Sequence, residues 1–281
     1  MPELPEVETV RRDVWGRYAG QTLHDVTVTG RRTVRRHAPG LLSGLAGQRL
    51  AGTGRHGKYL LLAWEDGRVL VVHLRMSGQL LAAAPGGPRP VHTHAVLGFG
   101  GGAGELRFVD PRTFGELFLA GRAGRADGAA SARGLAELSH LGPDALVVDA
   151  AHLGAVLAGR RAPLKSLLVD QRAVAGMGNI YADEVCFDAG LRPDRPAGSL
   201  APEELERLAR STHSVLEGAI AGRGSSLRDQ QYRDLYGNMG RYQLEHKVYG
   251  RSGMPCPSCG QAVQRVEMGA RRAFLCPTCQ R

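Results

Sequence analysis

Four cysteines near the end of this 281-residue chain restrict its fold more than any other feature. They form two C-x2-C pairs, Cys256-Pro-Ser-Cys259 and Cys276-Pro-Thr-Cys279, separated by sixteen residues. Such spacing lets a β-hairpin bring four thiolates to the corners of one zinc ion's tetrahedron. Four protein ligands fill the coordination sphere, so the expected cofactor is one structural Zn2+. The competing reading, two disulfides, belongs to oxidising compartments. Between the pairs the chain reads as a hairpin with Arg271 and Arg272 near its tip. The fifth cysteine, Cys186, reads as a buried helix residue.

The opposite end carries a chemical constraint. The chain starts Met-Pro-Glu-Leu-Pro-Glu-Val-Glu-Thr-Val-Arg, and the small residue after Met1 predicts removal of that methionine. Pro2 then supplies a free secondary amine. An α-amine titrates near ~7.7–8.0, against ~10.4 for lysine, so more of it is unprotonated at neutral pH. Addition to an aldehyde-like carbon gives an iminium that stays charged at any pH, which is amine catalysis without a desolvated lysine. Glu3 stands beside it as a proton-transfer group. Pro5 suits the first turn of a helix, and Glu6 and Glu8 suit its positive end. Val7, Val10 and Val14 recur at helical spacing and would pin that helix to a core. Taken alone, Pro2 would be an ordinary chain end.

A net charge of +9 points to a polyanionic partner. Only three of 36 basic residues are lysine, at Lys58, Lys165 and Lys247. A GC-rich genome explains such a bias, and against it each lysine is a candidate for work that suits a compact ammonium. No apolar run approaches the ~20 residues of a membrane helix. The start has acids where a signal peptide needs basic and then apolar residues. The expectation is a cytoplasmic protein with no membrane partner.

After the first helix the chain reads as mostly β. Gln21–Gly30 is one strand, and Arg31, Arg32, Arg35, Arg36 and His37 then form a basic cluster, either a solvated face or a phosphate contact. Gln48–Leu74 reads as three strands, with a hairpin around Glu65-Asp66-Gly67. Ala95–Phe99 and Glu105–Val109 form a further hairpin. Gly121–Gly134 lacks periodicity and reads as a linker. From Ala150 the pattern is helical: His152–Gly159, Pro163–Asp170, Asn179 to about Ala189, and a long helix capped by Ser199 and running through Ile220. Ala221–Gly240 is polar and glycine-bearing, a loop of the kind that carries function or is disordered.

These pieces together resemble the formamidopyrimidine-DNA glycosylase family of bacterial base-excision repair. The resemblance runs end to end: P-E-L-P-E-V-E-T-V-R-R, H-G-K-Y around Lys58, H-L-R-M-S-G at His73–Gly78, D-P-R-T-F-G at Asp110–Gly115, K-S-L-L-V-D-Q at Lys165, G-M-G-N-I-Y-A-D-E at Gly176–Glu184, S-S-L-R-D at Ser225, and V-Y-G-R before the cysteines. The order of the motifs is more specific than any one of them.

The resemblance implies an α+β protein with an N-terminal β-sandwich, a helix-two-turn-helix domain and a zinc-ribbon hairpin. The expected division is 1–120 for the catalytic sandwich, 121–148 for the linker, 149–240 for the helical domain with its lesion loop, and 241–281 for the zinc finger. It implies that Pro2 attacks C1′ of a damaged nucleotide, that Glu3 protonates the opening sugar, and that Lys58 sits by the lesion and its phosphate. Met76, Arg112 and Phe114 would fill the gap left by the flipped nucleotide, with the arginine reading the orphaned cytosine. Without that context Met76 and Phe114 are ordinary core candidates. His73, Lys58, Asn179 and Arg271 would grip phosphate, with Arg272 as the alternate to Arg271. Lys165 and Tyr181 fall among the implied DNA contacts. Asn179 also reads as a plain N-cap.

Three departures weaken individual inferences: Thr113 stands where the family often has a basic residue, the zinc hairpin reads A-R-R-A-F-L-C, and Gln230–Gly240 is polar and tyrosine-rich. The resulting expectation is a bifunctional glycosylase and lyase, acting as a monomer on oxidised purines in duplex DNA. Two readings compete with it: an endonuclease VIII-type enzyme for oxidised pyrimidines, and a non-catalytic zinc-finger DNA-binding protein.

Overall fold

The computed structural model describes residues 1–30, 32–121, 125–126, 129–132, 134–227, 232–269 and 271–281. Arg31 of the basic cluster, parts of the expected linker and residues 228–231 of the expected lesion loop lie outside these. The chain divides into two compact units, Met1–His140 with Gly222–Arg241, and Leu141–Ala221 with Tyr242–Arg281.

The first unit opens with α1 (Leu4–Tyr18). Glu3 is its N-cap, and Glu3 and Glu6 form a capping box that satisfies otherwise orphaned N–H groups. The strands follow as β1 (Leu23–Val28), β2 (Leu50–His56), β3 (Tyr59–Trp64), β4 (Val69–His73), β5 (Gln79–Ala83), β6 (Thr93–Phe99), β7 (Gly104–Val109), β8 (Glu116–Ala120), β9 (Arg125–Ala126) and β10 (Ala129–Ala130). They make two sheets, ordered β1-β6-β7-β5 and β8-β4-β3-β2-β10-β9. One core joins them. Val7, Val10, Val14 and Tyr18 of α1 pack with Leu60, Leu62, Leu70 and Val72 of one sheet and Leu97, Leu106 and Phe108 of the other. Part of the expected linker is therefore sheet: Ala129 pairs with Thr53 in parallel. The approach is close enough that a Cβ on Gly54 would meet the Ala130 carbonyl.

The segment Gly222–Arg241 belongs to this unit and not to the helical domain assigned to it from sequence. Tyr232 and Leu235 are the reason, because both are buried in the sandwich core. The Ala82 N–H donates to the Leu235 carbonyl at 2.8 Å. Arg223 ties the segment to α1, its Nη2 lying 2.6 Å from both Asp13 and Asp234.

The second unit contains α2 (Ala150–Leu157), α3 (Leu164–Leu168), α4 (Asn179–Asp188), α5 (Pro202–Ala221) and the hairpin β11 (Gln264–Met268) and β12 (Arg271–Leu275). Ser199 does not cap α5, which starts at Pro202. Instead the Ser199 hydroxyl donates to the Pro196 carbonyl, and Glu204 reaches back to the Ala201 N–H at 2.9 Å. Glu184 fastens α4 to the chain before the cysteines by accepting from the N–H groups of Lys247, Val248 and Tyr249.

Candidate active site and nucleic-acid contacts

In the first unit, α1 crosses β2 in a fixed register. Arg11 Nη1 donates to the Thr53 hydroxyl at 3.3 Å, and Arg55 Nε donates to Glu8 at 3.2 Å. One further turn toward the start of the helix corresponds to two further residues along β2. That direction carries Pro2 and Glu3 toward Gly57 and Lys58. All four are buried, Glu3 at 3% exposure and Lys58 at 5%. Gly57 has φ +56°, the left-handed conformation that the turn before Lys58 needs.

Glu8 anchors the register. Burial alone would raise its carboxyl, but Arg11, Arg12 and Arg55 outweigh burial and bring it down to about 2. Glu6 does a second job. Its Oε2 accepts from the Glu3 N–H and its Oε1 from the Ser225 N–H, both at 2.7 Å. One buried carboxylate therefore holds both the start of α1 and the root of the 222–241 segment.

His73 pairs with Tyr59 across β3 and β4, and their rings meet edge-on at 4.4 Å. Burial, then the charges of Arg75 and Lys58, push the imidazole down to about 3. Its Nδ1 accepts from the Arg75 N–H at 3.0 Å. A neutral ring with Nδ1 accepting carries its proton on Nε2, so His73 is a neutral donor.

Met76 and Phe114 are 45% and 43% exposed, which removes the core reading for both. Asp110, fully buried, holds their turns together. Its carboxylate accepts from the Ser77 hydroxyl, from the Arg112 N–H at 3.2 Å and from the Gly115 N–H at 2.6 Å. Sequence reasoning does not single out Asp110, which there marks only the start of a turn motif. The Arg112 guanidinium lies over the Phe114 ring, 5.1 Å from its centroid.

In the second unit, Gly178 and not Asn179 is the N-cap of α4. Asn179 is the first helical residue and is exposed. The preceding turn is held by Gln171, which accepts from the Gly176 N–H and donates to the Met177 carbonyl, both at 2.9 Å. Gly176 has φ +111°, a conformation that favours glycine. Two of the expected DNA contacts are buried within the unit. Lys165 is 1% exposed, and its ammonium is consumed by Asp183 at 2.9 Å and by the Arg272 carbonyl. Burial raises the Asp183 carboxyl although Lys165 opposes that shift. Tyr181 is fully buried and its ring faces Tyr242. Both residues pack in the core of the unit. At the hairpin, Arg272 lies 3.7 Å from Glu267, while Arg271 is exposed at the start of β12.

The four expected metal ligands converge. The Sγ atoms of Cys256, Cys259, Cys276 and Cys279 all lie within 4.8 Å of one another. The Cys256–Cys279 and Cys259–Cys276 separations are 3.9 and 3.4 Å. These bracket the ~3.8 Å edge of a tetrahedron with ~2.3 Å Zn–S bonds. The donor set fits one structural zinc.

Three family models match the chain: the formamidopyrimidine-DNA glycosylase N-terminal domain over residues 1–117, the H2TH domain of the same proteins over 141–231, and a zinc finger found in FPG and IleRS over 253–281. A formamidopyrimidine-DNA glycosylase from Moorella thermoacetica is 46% identical over 95% of this chain and 94% of its own length. The crystal structure of the MutM (FPG) protein from Thermus thermophilus superposes with a TM-score of 0.84 at 43% identity, covering 99% of this chain and 98% of that one. A Lactococcus lactis FPG mutant in complex with DNA containing Fapy-dG gives a TM-score of 0.84 at 32% identity, with 99% of both chains covered.

Proposed function

The chain belongs to the formamidopyrimidine-DNA glycosylase family, and from that premise we propose that it excises oxidised purines, 8-oxoguanine and ring-opened formamidopyrimidines, from duplex DNA and then cuts the strand. The observation that carries this reading is the register of α1 on β2, which directs Pro2 and Glu3 toward Lys58 inside a buried, capped helix start.

The chemistry follows from the groups. With Met1 removed, the Pro2 nitrogen attacks C1′ and the C1′–N9 bond breaks, so the damaged base departs with the bonding electrons. Glu3 protonates the ring oxygen as the sugar opens, leaving an iminium between Pro2 and C1′. The iminium acidifies C2′. Loss of a C2′ proton expels the 3′ phosphate, and a second elimination expels the 5′ phosphate. Water then hydrolyses the iminium and frees Pro2. Lys58 and the neutral His73 bind the phosphate beside the lesion. Extrusion of the nucleotide costs a few kcal/mol, and Met76 and Phe114 offset it by stacking in the gap while Arg112 bonds the unpaired cytosine. Asn179 and the N–H groups opening α4 bind a further phosphate, as does Arg271. The zinc keeps the hairpin folded and takes no part in the reaction.

Among the described residues no helix is long and apolar enough to cross a membrane, and the relatives named above are bacterial. Both agree with a protein that works on chromosomal DNA in a bacterial cytoplasm. Release of base from 8-oxoguanine·cytosine and thymine-glycol·adenine duplexes tests the substrate class. Faster release from the first is expected; preference for thymine glycol would reassign the enzyme to oxidised pyrimidines.

A further inference from the structure

Among the described residues of the first unit, most arginines stand beside a carboxylate. Arg11, Arg12 and Arg55 share Glu8, Arg36 and Arg75 share Glu116, and Arg107 pairs with Glu105. Three others converge without one. Arg32, Arg35 and Arg112 line a single open cavity of about 660 Å3, and Val34, Thr113 and Phe114 complete its wall. Among the described residues no carboxylate lines it. The contrast is sharp within one segment: Arg36 is bound to Glu116 at 2.8 Å, whereas among the described residues its neighbour Arg35 bonds only backbone oxygens.

Those backbone bonds aim Arg35 into the cavity. Its Nε donates to the Arg32 carbonyl at 2.8 Å and its Nη2 to the Thr113 carbonyl at 2.7 Å. Thr113 has φ +54°, an uncommon conformation for a β-branched residue. The Asp110 carbonyl accepts its N–H at 3.2 Å, so the turn is pinned from both sides. Guanidiniums gathered without a counter-ion repel one another, and their planar donor forks match phosphate oxygens.

We propose that this cavity is an additional phosphodiester-binding site, in which Arg32 and Arg35 extend the grip of the Arg112–Phe114 turn onto the DNA backbone. The proposal rests on the DNA-repair reading above, but it concerns binding and not bond cleavage. Arg32 and Arg35 are absent from the motifs that carry the family resemblance.

The test is fluorescence anisotropy on a duplex holding a tetrahydrofuran abasic analogue, repeated across salt concentrations. Each lost phosphate contact lowers the slope of log K against log salt by about 0.9. The R32A/R35A double variant, which loses one bound phosphate, is expected to lower it by about 0.9, and Arg32→Ala by part of that. The Arg32 side chain makes no hydrogen bond or ion pair with the described residues, so its removal spares the fold, and equal melting temperatures verify this. Methylphosphonate linkages placed singly along each strand then locate the bound phosphate: the linkage that weakens the wild type leaves the double variant unaffected. A hit on either strand supports the site and assigns it. An unchanged salt slope in the folded double variant overturns the proposal. A wild type that binds this duplex yet releases no base from 8-oxoguanine DNA would refute the catalytic reading alone, and one that binds no duplex would refute both.

Discussion

Replacement of Asp110 puts a magnitude on the turn architecture around Met76, Arg112 and Phe114. The Asp110 carboxylate is fully buried and takes three donors: the Ser77 hydroxyl and the N–H groups of Arg112 and Gly115. In Asp110→Asn one acceptor becomes an NH2 facing a backbone N–H, and a buried unsatisfied donor costs about 1–3 kcal/mol. The Gly115 bond, at 2.6 Å, is the shorter of the two main-chain bonds, so the expected loss is about 2 kcal/mol. Asp110→Ala strands all three donors, and the loss grows to about 3–5 kcal/mol. Urea unfolding reads both values, with a lower midpoint at constant slope. The turns also lose their shared anchor, so base excision from 8-oxoguanine·cytosine DNA falls more than cleavage at a preformed abasic site. An Asn variant as stable as wild type, or an Ala variant whose two activities fall in parallel, would refute this account of the turns.

Three further outcomes follow from the same physics. His73 is held neutral down to about pH 3; its contribution to stability is full above the unfolded value of ~6.5 and is lost as pH falls from there toward 3, and its NMR resonances should show no titration between pH 8 and 5. Glu8 titrates near 2 when folded against ~4.3 unfolded, so its pairing contributes on the order of 3 kcal/mol above pH ~4.3 and loses it as pH falls through 2; Glu8→Gln should remove that acid-limb dependence of the melting temperature. Cys259→Ser or chelation should release the zinc and unfold the hairpin, whose small core is Val248, Cys256, Val263 and Cys276, and metal analysis with amide exchange over residues 253–281 checks it.

Elements with a strong local signature were legible in the sequence. The valines of α1 recur on one face, and the zinc hairpin announces itself by cysteine spacing. Glu65-Asp66-Gly67 marks the β3–β4 turn, where Gly67 takes φ +88°. Besides the short β9 and β10, which fall in the stretch read as a linker, two strands lacked such marks. Residues of β8 are almost all buried, so no alternation betrays it, and β5 follows the Met76 turn with no distinctive sequence of its own. Motif membership did not separate surface from core. Lys165 and Tyr181 lie in motifs shared with the family, yet the second unit needs both for packing. The roles of Asp110 and Glu6 arise from donors brought together by the fold: Ser77 lies 33 positions from Asp110, and Ser225 lies 219 from Glu6. No local pattern encodes such pairings.

Borohydride reduction of the enzyme on 8-oxoguanine·cytosine DNA, followed by peptide mass mapping, bears most directly on the proposed chemistry. The account predicts a covalent sugar adduct on the peptide that begins at Pro2, in protein from which Met1 has been removed. An adduct on Lys58 or another lysine, or full activity in protein that retains Met1, would contradict it.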